Sequence, residues 1–221
     1  MKNMPLKKIK YIKSTKKNSI AMIQILEKEY PEAYCGLNFN SPIELVVALI
    51  LAAQCTDKRV NAIVPILFEK YHDVYALSKA DISDIQKIIK PCGFYINKAQ
   101  SICTSANIIV NNFNGKVPNT MQTLCTLRGI GRKSSNIILQ ECFKTTVGIA
   151  VDTHVTRISR KAGFSNGNTP VKIEEELTKK FDKIYWNKIN HILVLHGRAV
   201  CIARRPKCDI CCIKALCPKN D

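Results

Sequence analysis

Apolar residues recur at intervals of three and four along most of this chain, the spacing of a helix with one buried face. These patterns predict helices over residues 20–30, 58–71, 82–89, 98–112, 133–142, 153–161, 170–181 and 186–199. Alternating strand patterns flanked by Asn-Gly or Asp-Gly turns are missing. We therefore predict an all-α protein.

A capping signal predicts one more helix. Ser41 is an N-cap residue, Pro42 suits the first turn, and Glu44 is placed to reach back to the cap. The apolar run that follows, residues 43–55, contains a glutamate and is shorter than the ~20 residues that a bilayer span needs. We interpret this run as a buried helix and expect no membrane span.

The net charge of the chain narrows the class of binding partner. Lysine and arginine outnumber aspartate and glutamate by 34 to 17, a net charge of +17, and such an excess attracts polyanions. Nucleic acid is the first candidate and an anionic membrane surface the second. Residues 1–17 hold seven lysines and no acid. This predicted basic arm is either a contact to a phosphate backbone or a solvated tail.

The cysteines point to a metal centre. Cys201, Cys208, Cys211 and Cys217 form the pattern C-x6-C-x2-C-x5-C, and four thiolates this close can surround one centre. Cys212 can replace Cys211, but the C-x2-C spacing favours Cys211. Zinc and an iron–sulfur cluster both remain open, and the single short pair favours the cluster. The ordinary alternative is reduced cysteines that pack as small hydrophobes.

The cysteine count also bears on the compartment. The chain has 11 cysteines, an odd number, and carries no secretory signal, which argues against a disulfide framework. We expect a reducing, bacterial-type cytoplasm, with association to the nucleoid.

Residues 124–139 read LCTLRGIGRKSSNIIL, two apolar helical pieces that flank Gly129 and Gly131. The glycines permit a tight turn, and the helix that follows adds unpaired N–H groups and its positive dipole end. Such a site binds a phosphate without reading a base. Arg132, directly after the turn, strengthens this interpretation.

Two further residues are candidates for chemistry. Lys133 lies beside Arg132 at the positive helix end, and both effects favour a neutral amine that can form a Schiff base. A lysine that only contacts phosphate is the equal alternative. Asp152, in IAVDTH, is an ordinary N-cap. If it faced one cleft with Lys133, its carboxylate would move protons and stabilise a cationic sugar.

These segments together resemble the endonuclease III family of DNA glycosylase/AP lyases. LRGIGRKSSNIIL, AVDTHVTR and the cysteine pattern follow one another as in that family, and LNFNSPIELVVALILAAQCTD is similar to its N-terminal helical stretch. The resemblance implies the helix-hairpin-helix DNA glycosylase fold. Residues 35–145 would form a six-helix barrel lobe, and residues 18–34 and 146–221 an iron–sulfur lobe that carries a [4Fe–4S] cluster on the four cysteines.

The resemblance also implies a function. The protein would be a monomeric base excision repair enzyme that binds damaged double-stranded DNA, removes oxidised pyrimidines and cleaves the abasic strand by β-elimination. Lys133 would attack the sugar C1′ and Asp152 would assist. Gln54 would fill the hole left in the duplex, and Phe94, where a leucine is usual, would wedge the opposite strand. The ordinary alternatives are a surface amide for Gln54 and core packing for Phe94.

One further residue matches the family pattern and one departs from it. His154 matches, and we interpret this residue as structural. Arg128 departs, because proline is common at this position of the hairpin. The implied DNA contacts besides Gln54 and Phe94 are Gly129, Gly131, Arg132, Arg204, Arg205 and Lys207.

The last three of these contacts lie between Cys201 and Cys208. We hypothesise that the cluster holds this basic loop rigid against DNA, and redox sensing is the rival hypothesis. Two alternative functions stay open for the whole chain. One is a monofunctional glycosylase of the mismatch adenine type, which typically lacks the lysine. The other is a non-catalytic helix-hairpin-helix module, which needs neither Lys133 nor Asp152.

Overall fold

A computed structural model of the protein describes residues 11–219, which form α-helices and short 3-10 turns and contain no strand. The all-α prediction is confirmed for this part of the chain. Residues 1–10, with four of the seven lysines of the predicted basic arm, lie outside the described residues. The helices are α1 Lys16–Glu29, α2 Pro42–Ala52, α3 Asp57–Lys70, α4 Val74–Ser78, α5 Ile82–Ile89, α6 Tyr95–Phe113, α7 Met121–Leu124, α8 Arg132–Phe143, α9 Thr153–Lys161, α10 Pro170–Lys180 and α11 Trp186–Ala199.

Local caps decide where the helices begin. The Ser41 hydroxyl accepts a hydrogen bond from the Glu44 N–H at 3.3 Å, and the Glu44 carboxylate accepts one from the Asn40 N–H at 2.9 Å. The predicted capping box is therefore present, with its return bond one residue further upstream. Helix α1 begins before the predicted residue 20 because Thr15 caps it. Helices α4 and α7 were not predicted, since they span only 5 and 4 residues.

The chain divides into two compact units. The continuous unit is Cys35–Val147, and the split unit combines the described residues up to Tyr34 with the chain from Gly148 onward. In the split unit, α1 contributes Met22, Ile23 and Leu26 to a core that α9, α10 and α11 share. That core also contains an edge-to-face pair of phenylalanines, Phe164 and Phe181, with ring centroids 5.3 Å apart.

Helices α2 and α6 organise the continuous unit. Seven consecutive α2 residues, from Leu45 to Leu51, are buried, as predicted for the apolar run. Helix α6 packs against α2, α4 and α5. Between residues 11 and 219, no helix is long and apolar enough to cross a bilayer.

Candidate functional site

The turn between α7 and α8 is held by buried apolar side chains. Leu127 and Ile130 are 2% and 4% exposed, and the Ile130 N–H donates to the Leu127 carbonyl at 3.1 Å. Gly129 has a φ of +85°, where a Cβ is unfavourable. A Cβ there would also lie 3.3 Å from side-chain atoms of Ile50 and Ser101. This position therefore requires glycine.

Gly131 serves a different purpose. It is the N-cap of α8, no side chain caps the helix there, and a Cβ at this position would meet nothing within 4 Å. The N–H groups of the first turn are thus open to an approaching anion. Arg132 and Lys133 are exposed on that same turn. The arrangement can bind a phosphate beside a primary amine.

The pKa of a nearby thiol responds to the charge of Lys133. Cys35, in the same unit, is largely buried, which raises the pKa of its thiol. The positive charge of Lys133 acts in the opposite direction on that pKa. Lys133 therefore lies within electrostatic range of Cys35 at the surface of the continuous unit.

Gln54 and Phe94 are both exposed and both have a left-handed backbone, with φ of 54° and 49°. Such a conformation costs a non-glycine residue on the order of 1–3 kcal/mol and persists only where the surroundings enforce it. Phe94 is 63% exposed, so the core-packing alternative is wrong. Two exposed side chains on strained backbone positions are suited to contact a partner rather than to stabilise the core.

The two strained residues lie beside one pocket of about 190 Å³. Gly129 of the hairpin lines the same pocket, so the structure brings together three of the residues predicted to contact DNA. The full lining is Ile50, Ala53, Gln54, Phe94, Asn97, Lys98, Ser101 and Gly129.

Asp152 occupies the position expected of an N-cap in the split unit. Its Oδ1 accepts a hydrogen bond from the Val155 N–H at 2.9 Å, at the start of α9. The preceding residues 149–151 are buried, and Asn190 donates to the Ala150 carbonyl at 2.8 Å. These contacts fix the carboxylate at the helix start. Asp152 and Lys133 belong to different units.

The four predicted cysteine ligands line one cavity of about 130 Å³ in the split unit. Cys212 is exposed and is not among the residues that line it. Within residues 11–219, no three His, Cys, Asp or Glu side chains are grouped tightly enough for a single metal ion. Four thiolates are a donor set that both a zinc ion and an iron–sulfur cluster accept.

Two residues that the sequence analysis missed support the cysteine segment. The Arg157 guanidinium donates to the Cys201 carbonyl at 2.8 Å and to the Gly197 carbonyl at 3.2 Å. His196 lies with its Nε2 3.6 Å from the Cys211 Sγ and its Nδ1 3.1 Å from the Tyr30 hydroxyl. Burial lowers the pKa of His196 to about 4. This imidazole is therefore neutral at physiological pH.

The remaining predicted residues lie in the split unit. Arg204, Arg205 and Lys207 are exposed in the loop between the first two cysteines. The Lys207 N–H donates to the Val200 carbonyl at 2.9 Å, which closes this basic loop. His154 has its Nδ1 3.2 Å from the Arg157 Nη2, a contact that suits the structural interpretation.

Lys98 was not predicted as a site residue, although it lines the pocket beside Gln54 and Phe94. It is only 5% exposed, and it donates to two backbone carbonyls. The available signal was a lysine among the apolar positions of α6, but periodicity alone places lysines at the surface.

Comparison with known proteins gives consistent matches. A profile described as HhH-GPD superfamily base excision DNA repair protein matches residues 47–183. Endonuclease III of Synechocystis sp. is 42% identical over 205 residues, which cover 93% of this chain and 94% of that protein. Endonuclease III of Escherichia coli (strain K12) is 35% identical over 202 residues, 91% of this chain and 95% of that protein.

Solved structures agree with these matches. A trapped endonuclease III–DNA covalent intermediate has a TM-score of 0.87 and 33% identity, over 93% of this chain and 96% of that one. A non-covalent endonuclease III–DNA complex has the same TM-score and coverage. A thermostable thymine-DNA glycosylase, at 21% identity and a TM-score of 0.82, shares the fold.

The two hairpin glycines provide a matched pair of variants. Gly129→Ala should lower the free energy of unfolding by about 1–2 kcal/mol, because alanine is unfavourable at positive φ. Gly131→Ala should change it by less than about 0.5 kcal/mol, since its backbone is extended and its surroundings are open. Denaturant unfolding of both variants measures the difference. Equal losses would contradict the distinct roles given to the two glycines.

Proposed function

Because the chain belongs to the HhH-GPD superfamily of base excision DNA repair proteins and, within it, to the endonuclease III family, we propose that it removes oxidised pyrimidines from duplex DNA and cuts the abasic strand through a Schiff base on Lys133. The predicted helix-hairpin-helix glycosylase fold is confirmed by the match to endonuclease III structures. The chain is a DNA glycosylase/AP lyase. The base class and the covalent mechanism are the proposed part.

One observation carries the mechanism. Lys133 is exposed on the first turn of α8, directly after the uncapped start at Gly131. A phosphate bound at that helix end would bring the adjacent deoxyribose to the lysine amine. The amine attacks C1′ and the damaged base leaves with a proton. The C1′–O4′ bond then breaks as a proton passes from the nitrogen to O4′, which opens the sugar and gives a Schiff base. Loss of a C2′ proton then expels the 3′ phosphate, and water releases the enzyme.

Asp152 assists this reaction as a carboxylate. The departing base leaves a cationic sugar, and a carboxylate stabilises that charge and moves protons to and from the amine. The support is its position in the segment AVDTHVTR, which resembles the family motif, and its fixed place at the start of α9.

Recognition of damage uses the wedge residues Gln54 and Phe94. A damaged base stacks poorly, so its extrusion from the duplex costs less than that of an intact base. Phe94 is exposed and aromatic, which suits stacking against the bases of the opposite strand. Gln54 would occupy the space that the extruded base leaves. Arg132, Arg204, Arg205 and Lys207 would contact phosphates, so binding weakens as salt rises.

We also propose a [4Fe–4S] cluster on Cys201, Cys208, Cys211 and Cys217. The cavity that all four line, and the exclusion of Cys212 from it, support this ligand set. When bound, the cluster would cross-link the segment and hold the basic loop in one conformation. Its role in this proposal is structural, and the protein works on DNA as a monomer.

Borohydride reduction tests the nucleophile. The wild type should be captured on an oligonucleotide that carries thymine glycol, and Lys133→Ala should abolish this capture because the Schiff base cannot form. Arg132→Ala is the control, since it weakens binding but should still be captured at saturating enzyme. Capture that persists in Lys133→Ala would point to another amine. Binding by the wild type without capture would favour a non-catalytic module.

Asp152→Asn separates the catalytic role from the cap. Asparagine also caps a helix, so folding and DNA affinity should be retained while turnover falls by about 10²-fold or more. Single-turnover rates and a binding titration measure the two effects. Asp152→Ala should additionally lose about 1 kcal/mol of stability with the cap. A parallel loss of affinity in Asp152→Asn would argue against catalysis.

Adjacent cysteines test the ligand set. Cys211→Ser should lose iron and sulfide and lower the melting temperature by at least about 2–4 °C, the shift that roughly 1 kcal/mol produces at this size. Cys212→Ser should keep both, because Cys212 lies outside the cavity lining. Metal analysis and thermal unfolding provide the measurements. Equal iron loss in the two variants would refute the choice of Cys211.

A further inference from the structure

A lysine is buried beneath the two strained turns of the continuous unit. The Lys98 side chain, on α6, donates to the Leu51 carbonyl at 2.8 Å and to the Cys92 carbonyl at 3.0 Å. Lys98 is 5% exposed. Its ammonium therefore connects two segments that are far apart in the sequence.

Both carbonyls lie shortly before residues with positive φ. Ala52 and Ala53 separate Leu51 from Gln54, whereas Cys92 directly precedes Gly93. Leu51 is in the last turn of α2, which ends at Ala52 and leads into Gln54. Cys92 ends a 3-10 turn, and Gly93 and Phe94 after it have φ of 68° and 49°. The last carbonyls of a helical turn lack partners within that turn. Lys98 satisfies one at each of the two turns and places a positive charge at their negative ends.

Packing alone does not explain this side chain. A buried ammonium carries a large desolvation penalty, and that burial lowers the pKa of Lys98. A methionine would fill a similar volume without the penalty. The charge is therefore retained for what it holds in place. Apolar contacts cannot hold Phe94 itself, because most of its side chain is exposed.

We propose that Lys98 is a positioning residue for strand separation, whose two hydrogen bonds fix the Gln54 and Phe94 turns as one rigid wedge. This inference rests on the proposed function. It assigns Lys98 no contact with the reacting sugar. Without the ammonium, each turn would move independently, and the pair would enter a duplex with the wrong spacing.

The test compares two abasic substrates with Lys98→Met. One is an intact duplex, and the other lacks the nucleotide opposite the abasic site, so no facing base has to be displaced. The ratio of the cleavage rate on the intact duplex to that on the gapped one should fall at least tenfold, about 1.4 kcal/mol. A purely structural role would lower both rates together and leave the ratio unchanged. That result would overturn the inference.

The chain offers a matched control. Lys180, in the split unit, is also buried and also donates to two carbonyls, those of Ser14 and Gly163, at 2.9 and 3.0 Å. Lys180→Met removes the same kind of contact, so its stability should fall similarly while the rate ratio stays at the wild-type value. An equal change of the ratio in Lys180→Met would show a general effect of destabilisation and refute the inference.

A double mutant tests whether Lys98 acts through the wedge. If it does, Lys98→Met should change the rate ratio little in a Phe94→Ala background, because the effects of coupled residues are not additive. Full additivity would contradict the proposal. If Lys98→Met melts below the assay temperature, Lys98→Arg replaces it, since a planar guanidinium cannot reproduce the ammonium geometry. A wild type that cleaves neither substrate would refute the proposed function instead.

Discussion

Helix α6 contacts both turns of the continuous unit that the proposed function uses. Its Lys98 donates to the Leu51 and Cys92 carbonyls, and its Ser105 hydroxyl donates to the Arg128 carbonyl of the hairpin at 2.9 Å. Its Ser101 packs where a Cβ on Gly129 would stand. One helix therefore contacts the turns of Gln54 and Phe94 and the hairpin, and a shift of α6 would move them together.

In the split unit, the short cysteine segment is held by contacts from neighbouring helices. Its cysteines lie close together in sequence, so the segment that carries them is short and has little core of its own. Contacts from α9 and α11 compensate, because Arg157 holds the Cys201 carbonyl and His196 lies against Cys211. A neutral imidazole and a guanidinium that bonds backbone can support thiolate ligands without replacing any of them.

Several helix bounds and some of the candidate site residues could be predicted from the sequence. Helices α5, α9 and α11 have the predicted bounds because their apolar periodicity is regular, and side-chain caps from Asp81 and Asp152 also mark the starts of α5 and α9. The start of α6 was misplaced, since Phe94 begins it with a left-handed backbone that no composition rule signals. Gly129 of the hairpin could be found because a turn with positive φ favours glycine. Lys98 and Arg157 could not, because their partners are backbone carbonyls distant in sequence.

The proposed wedge also gives a reason for a buried charge in place of an apolar side chain. A residue that enters a duplex, as proposed for Gln54 and Phe94, has to be exposed, so it cannot be fixed by packing around its own side chain. Its backbone must then be fixed from below, and hydrogen bonds give the direction that apolar contacts lack. An ammonium with three donors can serve two carbonyls at once. Burial of the Lys98 ammonium costs desolvation energy. In this proposal that cost is offset because its two hydrogen bonds hold the turns of Gln54 and Phe94, which are exposed and have a left-handed backbone.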